Sequence, residues 1–297
     1  GNELNGLTFF GTGSATQASY IQVHKGSDDG LEFFGSTTFV DHIVVTSTTD
    51  DSFDWGQGWT GGAQFVLLMQ PADDADKLIE ADNDAETPAA APISRPTLAN
   101  FTMIGATGGD AASDGPLLRR GTGALIYNSI ITGLPAGAAC LIVDGTATSA
   151  NFGSSLTIAN SVVNCPNGVS FEGAGGVTNE QVQAWFESGA NNRVENPNLL
   201  ANGRPNPASD GTTSPFVTTD YIGAFAQDTA DSWTEGWTVG VNENLTVWEP
   251  VPAAPAADGA CPAGTTVAGT QAMPAPFSGE MDLCQSAGRY GTGAATI

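Results

Sequence analysis

Polar residues sit between apolar ones at short, regular intervals along the first part of the chain. Leu7-Thr8-Phe9, Leu31-Glu32-Phe33 and Phe53-Asp54-Trp55 each alternate with period two, the pattern of a half-buried strand. The second and third lie within longer phrases that repeat. Asp28-Asp29-Gly30-Leu31-Glu32-Phe33 returns as Asp50-Asp51-Ser52-Phe53-Asp54-Trp55, 22 residues later, and Tyr20-Ile21-Gln22-Val23 returns as His42-Ile43-Val44-Val45 at the same offset. Two strand phrases sharing one period in the twenties predict a solenoid in which each coil stacks on the last.

The apolar triplets extend the pattern through Ile21-Gln22-Val23, Ile43-Val44-Val45, Phe65-Val66-Leu67, Phe101-Thr102-Met103, Ser129-Ile130-Ile131 and Ser161-Val162-Val163. Tyr20, His42, Gln64, Asn100, Asn128 and Asn160 precede them, giving offsets of 22, 22, 36, 28 and 32. The excess over 22 falls in loop-like sequence, notably the acidic Ala/Pro-rich run from Pro71 to Pro96 and the segment Thr107 to Gly115. In a parallel β-helix the inward columns are then 21/43/65/101 and 23/45/67/103/131/163, with a second strand contributing Leu7/Leu31/Phe53 and Phe9/Phe33/Trp55. Stacked strands bring equivalent residues to about 4.8 Å, so like lies on like. Ser129 and Ser161 interrupt the inward column, as expected where the cross-section narrows. A doubly wound α/β fold needs helical periods between these strands, and none is present.

Four segments follow: β-helix rungs over 1–177; a helix with an aromatic-rich closing unit over 178–248; a Pro/Ala linker over 249–260; and a tail or further module over 261–297. Thr178-Asn179-Glu180-Gln181 is a capping box, and Val182, Trp185 and Phe186 give its helix an apolar side that can close the solenoid or pack on its flank. Tyr221-Ile222-Gly223-Ala224-Phe225 and Trp233-Thr234-Glu235-Gly236-Trp237-Thr238 make up the closing unit.

These phrases also carry a resemblance. Asn2-Glu3-Leu4-Asn5-Gly6-Leu7-Thr8-Phe9, the two acidic repeats and the two aromatic phrases of the closing unit are similar to a family of secreted or outer-membrane-associated β-helix proteins. Its members, hypothetical proteins or lipoproteins, belong to Gram-negative, often aquatic bacteria. The resemblance spans residues 1–240 and implies a right-handed parallel β-helix at the cell surface, with no activity to carry over. In that family further rungs precede the Asn-Glu-Leu-Asn-Gly phrase. Here it begins at position 2, without an initiator methionine, which reads as a processed or partial chain whose first rung can accept another subunit. Cys261-Pro262-Ala263-Gly264-Thr265 resembles the opening of a further such module.

Charge narrows the partners. Eight basic residues face 32 acidic ones, a formal net charge of -24. That field repels nucleic acid and anionic lipid and attracts cations. No apolar run approaches the ~18 residues of a membrane span, and the 38 glycines suit turn-rich β structure.

At the 22-residue register Asp28 stacks on Asp50, Asp29 on Asp51 and Glu32 on Asp54. Two readings follow: a Ca²⁺ ladder, because a hard cation accepts six to eight oxygens and relieves carboxylate repulsion, or solvated turns whose Asp side chains bond local amides. The same cluster, with His24 and Lys25 nearby, could serve glycan chemistry. The Asn-Thr-Asp, Gly-His-Gly and Arg-Ile-Lys phrases of polygalacturonases are absent, and Arg119-Arg120 reads as lying in a different part of the rung. Trp55 and Trp59 are candidate sugar-stacking residues or core. His42 reads as an outward polar residue. Cys140 and Cys165, about one rung apart, predict a disulfide between coils, and Cys261 with Cys284 a staple in the tail. The leading expectation is a non-catalytic structural, adhesive or assembly protein of the cell surface that self-associates or joins other surface proteins. The alternatives are a glycan-binding or polyuronate-cleaving β-helix and an accessory of an outer-membrane nutrient transporter.

Overall fold

The computed structural model of the chain describes residues 4–72, 74–106, 113–197, 216–226, 233–239 and 241, with the backbone of 265–272 and 280–286. Two compact units result, Gly1–Trp233 and Thr234–Ile297. The first is the expected parallel β-helix. Its rungs carry, in chain order, β1 (Leu7–Phe10) and β2 (Gln17–His24); β3 (Leu31–Phe34) and β4 (Phe39–Thr46); β5 (Phe53–Gly56) and β6 (Gly62–Met69); and β7 (Glu80–Ala81) and β8 (Thr97–Ile104). Next come β9 (Leu117–Leu118), β10 (Ala124–Tyr127) and β11 (Ile130–Thr132), then β12 (Ile142–Asp144), the short helix α1 (Thr146–Ser149), β13 (Leu156–Ala159) and β14 (Val162–Asn164). The last turn holds β15 (Glu172–Ala174), α2 (Asn179–Ser188) and β16 (Arg193–Val194). All strand pairs of this unit are parallel, in one seven-stranded sheet, β1-β3-β5-β7-β9-β12-β15, and one nine-stranded sheet that includes β2, β4, β6 and β8.

The first sheet keeps the predicted register: Leu31 pairs with Leu7 and Phe53, and Phe33 with Phe9 and Trp55. The second departs from it by one residue. Ile43 pairs with Val66 rather than Phe65, and Val45 with Leu68 rather than Leu67, because the β5–β6 connection is one residue longer than the β3–β4 connection. Phe65 therefore takes the place assigned to Gln64. Tyr20, His42, Phe65, Asn100, Asn128 and Asn160 all have φ between 50° and 58°, a left-handed corner that recurs in every rung. Inward residues precede the corner at Ala18, Val40, Ala63 and Leu98 and follow it at Ile43, Val66 and Phe101. The corner thus inverts the alternation, which is why a strict period of two fails across it.

The core is one cluster running from Phe9 to Phe186. Phe9 and Phe33 stack at 4.7 Å, and Phe33 and Trp59 at 4.0 Å. Each fully buried apolar side chain contributes about 1.5–3 kcal/mol. Ser129 and Ser161 stay in the inward column: Ser161 Oγ accepts the Ser129 amide at 3.1 Å and donates to the Ala159 carbonyl at 3.0 Å, so the backbone around the corner is satisfied. The disulfide Cys140–Cys165 joins neighbouring coils, with Cα atoms 5.9 Å apart.

Helix α2 opens on the predicted capping box and buries Val182, Trp185 and Phe186. Trp185 stacks on Phe152 at 4.6 Å and donates to the Leu156 carbonyl, so the helix covers the last rungs of the core. The aromatic phrase around Tyr221 does not close an end. It lies as a strap on the outer face of the second sheet. Gln64 exchanges two hydrogen bonds with the Val217 backbone, and Asn100 Nδ2 donates to the Tyr221 and Gly223 carbonyls. Phe216 packs with Ala99 and Ile222 with Ile130 and Val162. The expected closing unit is also divided, since the boundary between compact units falls after Trp233.

In the second unit β17 (Thr265–Ala272) pairs antiparallel with β18 (Glu280–Ser286). Cys261, its expected pairing with Cys284, and the 249–260 linker lie outside the described residues. No helix among the described residues is long and apolar enough to cross a membrane.

Candidate functional site

The acidic repeats form a continuous seam along the turn before the first sheet and along that sheet's outer face. Gly30 N–H donates to the Asp51 carbonyl and Ser52 N–H to the Lys77 carbonyl, so the turns are stacked as regularly as the strands. Gly30 is required there: a Cβ would lie 2.3 Å from the Ser52 carbonyl oxygen and 2.4 Å from a Val45 methyl. Asp29 and Asp51 direct their carboxylates along the stack. Asp29 Oδ1 accepts the Asp51 amide at 3.1 Å, and Asp51 Oδ1 accepts the Lys77 amide at 2.8 Å. One oxygen of each carboxylate is thus spent on the next rung's backbone, rather than on a local amide of a solvated turn.

On the sheet face, Glu32, Asp54 and Glu80 form one column by strand register. Four groupings place carboxylate oxygens within 4.8 Å of one another: Asp28/Asp29/Asp50, Asp29/Glu32/Asp54, Asp50/Asp51/Asp76 and Asp51/Asp54/Glu80. All six residues expected from the sequence are in this seam, and the structure adds Asp76 and Glu80. Asp29 is 7% exposed and Asp51 4%. Burial, then the neighbouring carboxylates, pushes the Asp29 carboxyl up to about 8 and that of Asp51 up to about 9. Burial also raises Asp54, Glu32 and Glu80, with nearby acids reinforcing the effect at each.

Among the described residues, the lysine and arginine ion pairs to the seam's acids lie at the later rungs. Lys77 follows Asp29 and Asp51 in the turn column, and its ammonium pairs with Asp76 and, at 3.2 Å, with Asp114. Arg119 bridges Glu80 and Asp82, and Arg120 reaches Asp82 at 2.5 Å. The two arginines were expected elsewhere in the rung. They stand beside the seam because Leu117-Leu118 pairs with Glu80-Ala81, a register that the long insertions conceal. A signal for Glu80 was nonetheless present, since Ile79-Glu80-Ala81 repeats the apolar-acid-apolar order of Phe53-Asp54-Trp55.

A cleft of about 450 Å³ opens over this face, lined by Glu32, Phe34, Asp54, Asp82, Asp84, Glu86 and Arg120 among others. Its exposed aromatic surface is not the one expected. Trp55 and Trp59 are fully buried, with their indole N–H groups bonded to Thr122 Oγ1 and the Thr38 carbonyl, so neither offers a face to a sugar. Trp55 borders the cleft with its ring buried, so the ring presented there is that of Phe34, which packs against Phe10, itself 75% exposed.

The histidines stand apart from the seam. His24 Nδ1 lies 2.8 Å from Thr46 Oγ1. His42, at the left-handed corner, stacks on Tyr20 at 4.4 Å, and its Nδ1 meets Asp41 Oδ1 at 2.5 Å. Neither contributes to the four carboxylate groupings.

An all-carboxylate donor set of this density suits a hard oxygen-seeking cation and not a soft metal. No curated protein and no solved structure matches the chain. The family model of the pectate-lyase-like β-helix domain matches residues 1–238. Parallel coils, one continuous core and that match over most of the sequence agree: the chain belongs to the pectate-lyase-like β-helix family.

Proposed function

We propose that this chain is a non-catalytic, extracellular β-helix of the cell surface whose acidic seam holds calcium as a structural ion. One observation carries the reading. Asp76, Glu80, Asp82 and Asp114 have lysine or arginine partners, whereas Asp29, Glu32, Asp51 and Asp54 form no such ion pair among the described residues, although two of them are nearly buried. Carboxylates packed this closely repel, and a divalent ion coordinated by their remaining oxygens removes that cost. Surface placement rests on the resemblance of the acidic and aromatic phrases to secreted and outer-membrane-associated proteins. Cell fractionation tests it, and electron microscopy of native material tests self-association.

The deciding measurement for calcium is a thermal melt at pH 8 with chelator and with about 1 mM calcium, the range of extracellular modules. Calcium is expected to raise the midpoint. An unchanged midpoint removes the ion from this reading.

The second reading, a polyuronate-acting enzyme, is favoured by Arg119 and Arg120 standing beside the acidic column. Both guanidinium groups are already engaged by Glu80 and Asp82, which leaves no free cationic group in that cluster to receive a uronate. Release of unsaturated uronides from polygalacturonate, lost in Arg119→Ala, would favour this reading over the first.

A further inference from the structure

The cleft over the first sheet is larger than a metal site. A calcium ion with oxygens at 2.3–2.6 Å fills a small part of about 450 Å³, a volume in the range of small-molecule sites. Its charge is one-sided. Glu80 and Asp82 are neutralised by Arg119 and Arg120, while Glu32 and Asp54 on the floor and Asp84 and Glu86 on the wall form no ion pair among the described residues. The wall is built in place. Asp84 Oδ1 accepts the amides of Glu86 at 3.0 Å and Thr87 at 2.6 Å, and Asn83 holds the same loop through Pro88, Ala90 and Ser94. Phe34 adds an aromatic surface beside these carboxylates, extended by the exposed ring of Phe10 at 5.7 Å.

We infer that this cleft binds a small organic polycation, a linear amine with two or more ammonium groups, its methylene stem lying on Phe34 between the floor and wall carboxylates. A polyanion meets four carboxyl groups without a basic partner among the described residues, and a neutral sugar can donate hydroxyls to them but brings no charge of its own. An amine gains charge-assisted hydrogen bonds at both walls and a cation–π contact at the ring. This inference shares Glu32 and Asp54 with the proposed calcium seam, whereas Asp84, Glu86 and Phe34 belong to none of its carboxylate groupings, so variants at these three test the polycation alone.

Isothermal titration calorimetry of the full chain, stripped of divalent ions, tests the site with spermidine as probe and maltotriose as neutral comparator. Saturable one-to-one binding of spermidine is expected, weakening as salt rises. Glu86→Gln should weaken it roughly tenfold, the loss of one charge-assisted bond. Asp84→Asn, which retains the Oδ1 acceptor, should act in the same direction. Phe34→Leu should cost about twofold to fivefold. The double variant Glu180→Gln/Glu187→Gln on α2 removes more charge from a distant surface than either single cleft variant and should leave binding unchanged. Absence of saturable spermidine binding, an equal loss in the α2 variant, or maltotriose binding as tightly as spermidine would overturn the inference. None of these outcomes bears on the calcium melt.

Discussion

Asp51 sits directly above Asp29 and donates its backbone N–H to the Asp29 carboxylate at 3.1 Å, while its own carboxylate receives the Lys77 amide at 2.8 Å. Each acid is thus both a rung-to-rung tie and a buried charge. The two roles separate by substitution. Asp51→Asn keeps an acceptor for Lys77 and removes the need to take up a proton or bury a charge on folding, so in chelator at pH 8 it should melt higher than the parent and respond less to calcium. Asp51→Ala loses the acceptor as well and should cost about 1–3 kcal/mol in chemical denaturation.

The raised carboxyls set a direction for pH. Asp29 and Asp51 bind protons more tightly folded than unfolded, with folded values of about 8 and 9 against an ordinary 3.8. The stability this confers is complete below the unfolded value and is lost as pH rises through the folded values, at up to about 1.4 kcal/mol per pH unit for each group. Metal-free protein should therefore lose stability between pH 4 and 9. The proposed calcium would compete with those protons, so its gain in midpoint should be larger at pH 8 than at pH 5. A calorimetric pH series in chelator and in calcium measures both trends.

Trp55 belongs to the core and not to a ligand surface. Trp55→Phe frees Thr122 Oγ1 and leaves a small void, with an expected loss of about 1–3 kcal/mol. Glycan-array binding by the folded variant should match the parent.

Asn100 anchors the strap through the carbonyls of Tyr221 and Gly223 and through Thr219 Oγ1. Asn100→Ala should accelerate amide exchange within 216–225 while leaving β3 and β5 protected. Because Asn100 itself has φ of 57°, alanine adds backbone strain, so Asn100→Gly serves as the control that separates strain from lost hydrogen bonds.

The residues that betrayed the fold were those free of the corner. Leu31, Phe33, Phe53 and Trp55 lie in short straight strands, where period two holds and one register satisfies every rung. Phe65 was misplaced because one extra residue before β6 shifted its rung, and an aromatic side chain in a left-handed position looks like a core residue. The six carboxylates were legible because their two rungs share the 22-residue step. Glu80, Asp82 and Arg119 were not, since insertions of unequal length separate them, and only the Glu80–Leu117 pairing brings them together. The strap was hidden for a different reason: its contact with Gln64 spans 153 residues, and no local pattern encodes it.

Lys77 gives the turn column a direction. On the proposed calcium reading Asp29 and Asp51 draw their countercharge from the surroundings, whereas the third place in the column carries its own on a covalent tether, and Asp114 follows under its reach. A tethered ammonium is present in the same ratio in brackish water and in fresh, whereas a dissolved ion is not. On that reading the coil is divided along its axis into early turns tuned by the medium and later turns indifferent to it. In ion-poor water it should loosen from the Asp29 end first, unzipping from one side while the later coils, tied by Cys140–Cys165, stay wound.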